Sequence, residues 1–597
     1  MMLKNLIKEE VKKAIKKSCD EGKLNLQDLN LIEYDVVVEK PKQFEFGDFA
    51  VNISSLAKYA KLPPVKIAEI ISSNLAIDDI DTNIVAGFIN FKIGNTYLEN
   101  IVKEIIVKDE KYAENSLGQN KKVILEYVSA NPTGPFHIGH GRWAAVGSSL
   151  ANILKLSSYY VFQEFYINDA GNQIRNLGNS LYIRIMQELG NKSVDFPQDE
   201  IEVKNYYTGD YLIEIAKKFV LENSEYVKII LESGLTEDNL KIISDYAKKS
   251  LFELQEKTLE QFNVKFDNFF SEQSLHDSLE VEKCIKYLKD TDMLYEKDGA
   301  IWFKSSQLGD SQDRVIKKSD GSNTYLTADI AYHLNKLKRG FDILLNIWGA
   351  DHHGYIPRMK AAISALGYNP DSLEVLLGQL VNLLVDGEQM RMGKRSKMLT
   401  LQELIDEVGV DATRFWMVMR SIDTTLDFDV NLAKSNTEDN PVFYVQYAHA
   451  RGCSILRNAV SQVFDIYSED KSSELKQNLP KFEPSYLEEV FDKIENLDIS
   501  NLFDSDKKES FESTKKIVLK LEDFKNIIYT AALNRSPYLI CKYLQELSAL
   551  FHQFYNINRV LSQDENLTIS RLALVKSFII IMKTGLNLIG VNAVERM

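Results

Sequence analysis

The order of apolar and polar positions divides the chain into three parts that predict different kinds of domain. Up to about residue 110, amphipathic helical stretches alternate with strand-like runs such as "NIVAGFINFKI", a mixture typical of a small α/β domain. Next, two runs rich in β-branched and aromatic residues, "KVILEYVSA" and "YYVFQEFYIND", flank "HGRWAAVGSSLANILKL", which has helical spacing. From about residue 400 onward the apolar positions follow helical spacing almost throughout, which predicts a helical domain.

The central strand–helix–strand pattern is that of a βαβ unit, which predicts a parallel sheet with ligands at the carboxyl ends of its strands. A charged, mostly helical stretch at about 180–290 interrupts the pattern, and "FDILLNIWGADHHGY" later restores it. We therefore predict an α/β fold with a doubly wound parallel-sheet (Rossmann-like) domain at 119–400, into which this helical stretch is inserted. A small N-terminal α/β domain at 1–112 precedes it, and an all-helical C-terminal domain at 401–597 follows.

Composition narrows the class of protein. With 597 residues, 45% of them hydrophobic, the chain is long enough to bury the cores of several domains. No run approaches the roughly 20 uncharged apolar residues of a membrane span, and the opening "MMLKNLIKEEVKKAIKK" predicts an amphipathic helix rather than a signal peptide. The four cysteines lie far apart, which predicts free thiols in a reducing cytoplasm and no zinc site. The net charge of −15 decides little, because a local basic surface is enough to bind nucleic acid.

The stretch Ser129–Trp143, "SANPTGPFHIGHGRW", concentrates prolines, glycines and histidines between a predicted strand and a predicted helix; we call it the signature turn. Backbone N–H groups at such a helix N-terminus, together with the helix dipole, favour phosphate. The spacing is neither that of the dinucleotide fingerprint nor that of the P-loop. His137 and His140 are three apart, which predicts two imidazoles facing one pocket, suited to a phosphate whose charge grows in a transition state.

The signature turn carries a resemblance to a known family. "HIGH" at His137–His140 matches the signature of class I aminoacyl-tRNA synthetases, and "SANPTGPFHIGH" closely resembles the version in bacterial arginyl-tRNA synthetases. The segments "FGDFAVNISSLAKYAK", "YINDAGNQIRNLGNSL", "YLTADIAYHL" and "WGADHHGY" resemble that family too, in the same order along the chain. The resemblance runs from about residue 40 to the C-terminus.

The second motif of the class, a mobile KMSKS loop, has a degenerate counterpart here. By the resemblance, residues 391–395 of "RMGKRSKMLTL" stand in its place, so its first lysine is absent while Lys394 remains. The family is known for a weakened second motif. The roles of Arg391, Arg395 and Lys397 stay open, and an ordinary basic surface loop is the alternative for the segment.

The resemblance implies an arginine–tRNA ligase. Such an enzyme joins arginine to the α-phosphorus of ATP, releases pyrophosphate, and transfers the arginyl group to the terminal ribose of tRNA. Magnesium would arrive with ATP as co-substrate, and no fixed metal is expected. By the resemblance, the catalytic residues are His137, His140 and Lys394, which would face the phosphates and pyrophosphate. The ATP-binding residues would be Gly139, Gly349, Asp351, His352 and Met392.

Arginine as substrate requires a pocket rich in acceptors, because guanidinium offers five donors and no acceptor. By the resemblance, the arginine-binding residues are Glu126, Asn131, Tyr325 and Asp329, with Asp351 as a further possibility. Each carboxylate has a plain structural alternative: Glu126 as a solvated acid, and Asp329 as an acid favoured near a helix N-terminus. Lysine has the same net charge but lacks the planar fork, so discrimination is expected to rest on geometry.

The remaining expectations concern partners. The resemblance implies that the helical C-terminal domain binds the tRNA anticodon, that the N-terminal domain touches the tRNA elbow, and that the protein is a cytoplasmic monomer. Aromatic residues of the C-terminal domain are candidates for stacking on bases, although at helical spacing most are expected in the core; these are Tyr538, Tyr543, Phe551, Phe554 and Tyr555. The alternatives are another class I synthetase, such as the cysteine enzyme, and a catalytically silent tRNA-binding paralogue.

Overall fold

A computed structural model describes residues 2–26, 29, 34–41, 43–169, 172–191, 193–385, 388–389, 400–460, 482–503 and 507–597. The predicted site residues Met392 and Lys394 lie outside the described residues, as do Arg391, Arg395 and Lys397.

The N-terminal part is a four-stranded antiparallel sheet with helices packed on it, as the pattern predicted. The strand order is β1-β2-β4-β3, and Ala86 and Gly87, both at positive φ, form the tight turn between β3 and β4. Pro64 occupies the first turn of α3, where a missing N–H costs nothing. The elements are α1 (Leu3–Asp20), β1 (Val38–Glu39), β2 (Phe49–Asn52), α2 (Ala57–Ala60), α3 (Pro64–Ser72), β3 (Ile80–Val85), β4 (Phe88–Ile93) and α4 (Asn95–Lys108).

The central part is built on a five-stranded sheet in which every pair of neighbouring strands is parallel. Its order is β12-β11-β5-β6-β7, so the chain reverses its direction of travel beside β5. In such a sheet, ligands bind in the crevice outside the carboxyl ends of the strands at that switch point. The elements up to the last of these strands are β5 (Lys122–Glu126), α5 (Ile138–Leu156), β6 (Tyr160–Ile167), α6 (Asn172–Glu188), α7 (Tyr211–Glu222), α8 (Ser224–Ser233), α9 (Glu237–Gln261), β7 (Asn268–Ser271), α10 (Glu272–Asp277), α11 (Glu280–Asp290), β8 (Leu294–Lys297), β9 (Ala300–Phe303), β10 (Arg314–Lys317), α12 (Tyr325–Lys338), β11 (Ile343–Gly349), α13 (Ile356–Ala365) and β12 (Leu373–Gly378).

The helical insertion differs in extent from the predicted range of about 180–290. Its helices begin with α6 and end with α9 at Gln261, and β7 then returns to the main sheet beside β6. A run of only four residues, Asn268–Ser271, was too short to stand out among the surrounding helical stretches. Strands β8, β9 and β10 form a separate antiparallel sheet that leads into α12.

Among the described residues after 400 the chain is helical except for strand β15 (Leu426–Asp429), which pairs with β13 (Val381–Val385). The hydrophobic core of this C-terminal part is continuous with the cores of the N-terminal and central parts. No helix among the described residues has the length and apolar character that crossing a lipid bilayer requires. The elements are β13 (Val381–Val385), β14 (Glu388–Gln389), α14 (Leu401–Val408), α15 (Val410–Val418), β15 (Leu426–Asp429), α16 (Val430–Lys434), α17 (Pro441–Val460), α18 (Pro484–Asp492), α19 (Lys508–Leu533), α20 (Tyr538–Ile557) and α21 (Glu565–Leu588).

Buried charges join the three parts. Lys515 of α19 lies 2.7 Å from Asp48 with both side chains buried, and it also donates to the carbonyl of Ile93. The Arg414 guanidinium donates to the carbonyls of Phe262 and Ile589, linking the end of the insertion to the C-terminus. A buried charge is costly to leave without its partners, so these contacts help to fix how the parts sit around the sheet.

Candidate active site

The signature turn begins with an unusual backbone conformation at the carboxyl end of β5. Val128 and Ser129 both have positive φ, 69° and 39°, a region that β-branched residues rarely adopt and that costs energy. The turn is held by the Ser129 hydroxyl, which donates to Glu126 Oε1 (3.1 Å) and accepts from the backbone N–H of Tyr166. Strain of this kind is kept where the surrounding structure needs the chain to leave a strand abruptly.

Helices of the insertion brace the same turn from outside. Gln255 of α9 donates to the carbonyls of Asn131 (3.1 Å) and Gly134 (2.8 Å). The Tyr211 hydroxyl of α7 donates to the carbonyl of Thr133. The insertion therefore positions the turn as well as lying beside it.

His137 and His140 form a reciprocal cap at the N-terminus of α5. His137 Nδ1 accepts from the backbone N–H groups of Gly139 (3.1 Å) and His140 (3.4 Å), and His140 Nδ1 accepts from the N–H of His137 (3.3 Å). The two rings stack with centroids 3.6 Å apart. An acceptor nitrogen carries no proton, so in each neutral ring the proton is on Nε2. Each Nε2–H is thus a donor that the cap leaves available for a ligand.

Both histidines are neutral at physiological pH. Burial lowers the pKa of His137, and burial together with its neighbour lowers the pKa of His140 to about 3. The pair therefore offers hydrogen bonds to a phosphate rather than positive charge. The positive end of the helix dipole adds the electrostatic attraction.

Glycines let neighbouring side chains pack closely around this cap. A Cβ on Gly139 would meet the His137 ring at 2.9 Å, and one on Gly141 would meet Leu401 at 2.6 Å. Gly378, the last residue of β12, leaves room for the Trp143 indole, whose buried Nε1–H has no partner among the described residues. An unpaired buried donor of this kind marks a place where a ligand acceptor would be favourable.

The chain returns to the signature turn directly after the second motif. Thr400 forms an isolated β-bridge with His137, and the N–H of Leu401 donates to the carbonyl of Phe136. Thr400 caps α14 together with Glu403. The fully buried Arg142 of α5 donates to the carbonyls of Gln379 (3.0 Å) and Ser421 (2.8 Å). The segments on both sides of the second motif are thereby tied to the helix that carries the histidines.

Glu126 is not a solvated acid. It is 7% exposed at the end of β5 and forms an ion pair with Lys336 of α12, whose side chain is fully buried. Lys336 also donates to Asn346 Oδ1 (3.1 Å) and lies over the Tyr332 ring. No local pattern in the chain predicts this ion pair, because Glu126 and Lys336 are 210 residues apart.

The charges of Glu272 and Glu126 both act on Asp329, and we call these three carboxylates and their surroundings the acidic pocket. The pKa of Asp329 is raised to about 7, chiefly by burial and then by the charges of Glu272 and Glu126, while a hydrogen bond from Tyr355 lowers it. Burial also raises the pKa of Glu272, whose Oε2 accepts from the Tyr166 hydroxyl (2.9 Å). A cation bound here would relieve the cost that both carboxylates carry.

Sequence reasoning missed Glu272, Tyr355 and Lys336. Glu272 directly follows β7, and an acid just after a parallel strand is a recognisable signal. It was missed because β7 lies within the stretch predicted as helical. Tyr355 ends the "GADHHGY" segment, in which the predicted site residues include Asp351 and His352.

The other predicted residues lie around the same sheet edge. Tyr325 opens α12 one turn before Asp329 and is 71% exposed. Asn131 donates to Gln173 Oε1 (2.7 Å). Gly349 ends β11, and Asp351 and His352 follow in the 3₁₀ turn Ala350–Tyr355 with exposed side chains, 3.7 Å apart. No group of three or more metal-ligating side chains occurs among the residues that the structure describes.

Comparison with known proteins agrees with this arrangement. Family models match in chain order: the arginyl-tRNA synthetase N-terminal domain at 3–93, the class I (R) tRNA synthetase catalytic domain at 101–423, and the DALR anticodon-binding domain at 487–597. The chain is 42% identical to arginine–tRNA ligase 1 of Halalkalibacterium halodurans over 94% of each chain, and 41% identical to the arginine–tRNA ligase of Listeria monocytogenes over the whole of each.

A solved structure shares the fold. The arginyl-tRNA synthetase of Thermus thermophilus superimposes with a TM-score of 0.70 at 21% identity, and the match covers the whole of each chain. The domain order, the capped histidine pair and the full-length identity to curated relatives agree. The chain therefore belongs to the arginyl-tRNA synthetase family, the class I arginine–tRNA ligases.

Proposed function

We propose that this protein forms arginyl-adenylate from arginine and MgATP and then transfers arginine to the 3′ end of its tRNA. One observation carries the proposal: the neutral histidine pair at the start of α5 and the acidic pocket lie at the carboxyl edge of one parallel sheet. A phosphate site next to a cation site is what the joining of arginine to ATP requires.

The phosphate side works by positioning and charge stabilisation. Nε2–H of His137 and Nε2–H of His140 donate to the α- and β-phosphates, where charge grows during attack by the carboxylate. Gly139 lets the phosphates approach the backbone. Gly349, Asp351, His352 and Met392 bind the rest of ATP, and Lys394 neutralises the leaving pyrophosphate. Magnesium accompanies ATP as part of the substrate.

The arginine side works by charge matching. In the free protein Asp329 is held near the midpoint of its titration, with a pKa of about 7, so a guanidinium that pairs with it restores the ionised form. The family resemblance assigns Glu126, Asn131 and Tyr325 as further contacts; Glu126 would accept from arginine while its charge stays paired with Lys336. Glu272 is a further candidate acceptor, because its charge acts on Asp329. The planar fork of arginine can bridge two carboxylates, which the ammonium of lysine cannot do.

The tRNA side uses both outer domains. Tyr543, Phe551 and Phe554 belong to the buried core, as expected for most of the aromatic residues considered. Tyr555 differs, because Arg451 of α17 lies over its half-buried ring at 4.4 Å and over Tyr447 at 5.8 Å. An arginine between aromatic rings is a common platform for RNA bases. We assign this cluster to the anticodon loop and the N-terminal domain to the tRNA elbow.

The assay is amino-acid-dependent ATP–pyrophosphate exchange, run across the common amino acids with and without total tRNA. Exchange with arginine alone supports the proposal, and its dependence on tRNA shows whether tRNA completes the site. Exchange with another amino acid would identify a different class I synthetase. Absence of exchange from folded, tRNA-binding protein would favour the silent paralogue.

Two finer statements belong to the same proposal. All four cysteines are free thiols, which suits a reducing cytoplasm. We also propose a monomer, which light scattering of the purified protein at working concentration would test; a stable dimer would overturn it.

A further inference from the structure

Tyr355 links the segment after β11 to the acidic pocket. It is the last residue of the 3₁₀ turn Ala350–Tyr355, and its hydroxyl donates to Oδ2 of Asp329 on α12. Asp329 is thereby oriented by a side chain from a different segment. The same turn carries Asp351 and His352, the residues assigned to ATP.

The Tyr355 ring is held on two sides, so the direction of its hydroxyl is fixed. Trp348 meets it edge to face with centroids 5.9 Å apart, and Arg358 lies over it at 4.7 Å. Arg358 is itself 3.8 Å from Asp310, a buried acid that also pairs with Arg314. A cation over a phenol ring favours proton donation by its hydroxyl, which strengthens the bond to Asp329.

We propose that Tyr355 is a positioning residue for arginine recognition: by occupying Oδ2 of Asp329, its hydroxyl leaves Oδ1 for the guanidinium and favours the ionised carboxylate. The inference rests on the proposed function in one respect, namely that Asp329 contacts arginine. Tyr355 need not touch either substrate to act in this way. Its effect is carried by one hydrogen bond to a charged group, a kind of bond that contributes more than a neutral one.

The inference predicts a pH effect, because every other group that faces Asp329 stays in place when Tyr355 loses its hydroxyl. Lys336 lowers the pKa of Asp329, as Tyr355 does, and Arg358 of α13 lies over the Tyr355 ring. The pKa of His333 is lowered to about 3 by burial, so this ring is neutral. The groups concerned are Glu126 from β5, Tyr166 from β6, Glu272 from α10, and His333 and Lys336 from α12.

The test is the pH dependence of arginine-dependent exchange in Tyr355→Phe, from about pH 6 to about pH 9. In the parent, 1/KM for arginine falls as the pH drops below about 7, because Asp329 takes up a proton. In Tyr355→Phe we expect the midpoint to move up by about one pH unit and KM at neutral pH to rise roughly 10- to 100-fold. We expect kcat to change by less than about threefold, since no transition-state contact is lost.

Tyr287→Phe is the matched control. The Tyr287 hydroxyl also donates to an oxygen in the same domain, the carbonyl of Leu366 (3.3 Å), but lies away from Asp329. Tyr287→Phe should leave unchanged both the pH midpoint of 1/KM and the KM for arginine. Arg358→Gln removes the cation over the ring while keeping the hydroxyl, so we expect a smaller shift of the midpoint in the same direction.

The outcomes separate this inference from the proposed function. A KM and midpoint unchanged in Tyr355→Phe, or a loss of kcat with no movement of the midpoint, would overturn the positioning role. If Tyr355→Phe does not fold, as judged by its melting curve, an unmoved midpoint in Arg358→Gln overturns it instead. If Asp329→Asn leaves KM for arginine unchanged, the arginine-binding role of Asp329 fails; a large effect of Asp329→Asn with none of Tyr355→Phe removes only the inference.

Discussion

Replacing Asp329 with asparagine should stabilise the free protein while weakening arginine binding. Asparagine is close in shape to aspartate and keeps an oxygen that can accept from Tyr355, but it carries no charge. In the free protein the pKa of Asp329 is raised to about 7 from 3.8, first by burial and then by Glu272 and Glu126. The structure therefore bears an energetic cost at this position that the substitution removes.

The sign and size of the effect follow from proton linkage. Between pH 3.8 and about pH 7, the unfolded chain has an ionised Asp329 while the folded chain holds the proton. Folding stability therefore falls as the pH rises through this window, by up to 1.36 kcal/mol per pH unit, or roughly 4 kcal/mol in total. Below the window the two proteins should be alike. Above it, Asp329→Asn should be the more stable by an amount that approaches this figure.

Bound arginine should reverse this order of stability between the parent and Asp329→Asn. The guanidinium pairs with ionised Asp329 and recovers the cost in the parent, whereas asparagine offers only a neutral acceptor. Removing one partner of a buried charge pair costs about 2 kcal/mol or more, so KM for arginine should rise at least about 30-fold. KM for ATP should change much less, because Asp329 lies in the acidic pocket.

Thermal melting at about pH 5 and about pH 8, with and without arginine, measures both effects. Asp371→Asn is the control, since it removes an exposed carboxylate that pairs with Lys360 on the surface of the same domain. A melting difference between Asp329→Asn and parent that is the same at both pH values would refute the argument from burial. Equal stabilisation of both proteins by arginine would refute the role of Asp329 as its partner.

Three further predictions follow from other contacts. His140→Gln should keep more exchange activity than His140→Ala, which should lose about 100-fold or more, because the neutral amide N–H of glutamine reaches the position of Nε2–H; equal losses would contradict a neutral donor. Lys336→Met leaves Glu126 buried and unpaired, and should lower the free energy of unfolding by about 3–5 kcal/mol; an unchanged free energy of unfolding would contradict the ion pair. Lys515→Met leaves Asp48 unpaired, which should cost about 3–5 kcal/mol of folding stability. Limited proteolysis should then release the N-terminal domain faster than in the parent. An unchanged digestion rate would show that the ion pair does not hold that domain.

Local signals explain which parts of the fold were predictable. β5, α5 and β6 are adjacent in sequence, and their periodicity changes visibly from strand to helix and back. The parallel pairing of β5 with β6 then follows from the helical crossover that α5 makes between them. β7 was not predicted, because its four residues lie between α9 and α10 and only tertiary pairing with β6 makes them a strand.

The residues of the candidate site also divide into those that local spacing predicts and those that only packing brings together. His137 and His140 lie in one turn, so spacing alone placed their rings together. The partners that determine the chemistry of Asp329 come from elsewhere: Glu272 lies 57 positions before it and Tyr355 lies 26 positions after it. No local pattern shows which distant carboxylate or hydroxyl will meet a given acid, because the meeting is decided by how α10, α12 and the turn after β11 pack on the sheet.

The charges of the acidic pocket explain why a single cation suits it. Glu126 is already neutralised by Lys336, and burial favours the protonated form of Glu272. Asp329 is the carboxylate left near its titration midpoint. One bound guanidinium brings one positive charge to that one acid and several donors to the remaining oxygens. A neutral side chain would leave Asp329 either protonated or unpaired, and a second cation would find Glu126 already occupied by Lys336. Lys336 therefore pairs with Glu126 as the guanidinium of arginine would pair with Asp329. Because Lys336 neutralises Glu126, the substrate has to supply only one positive charge.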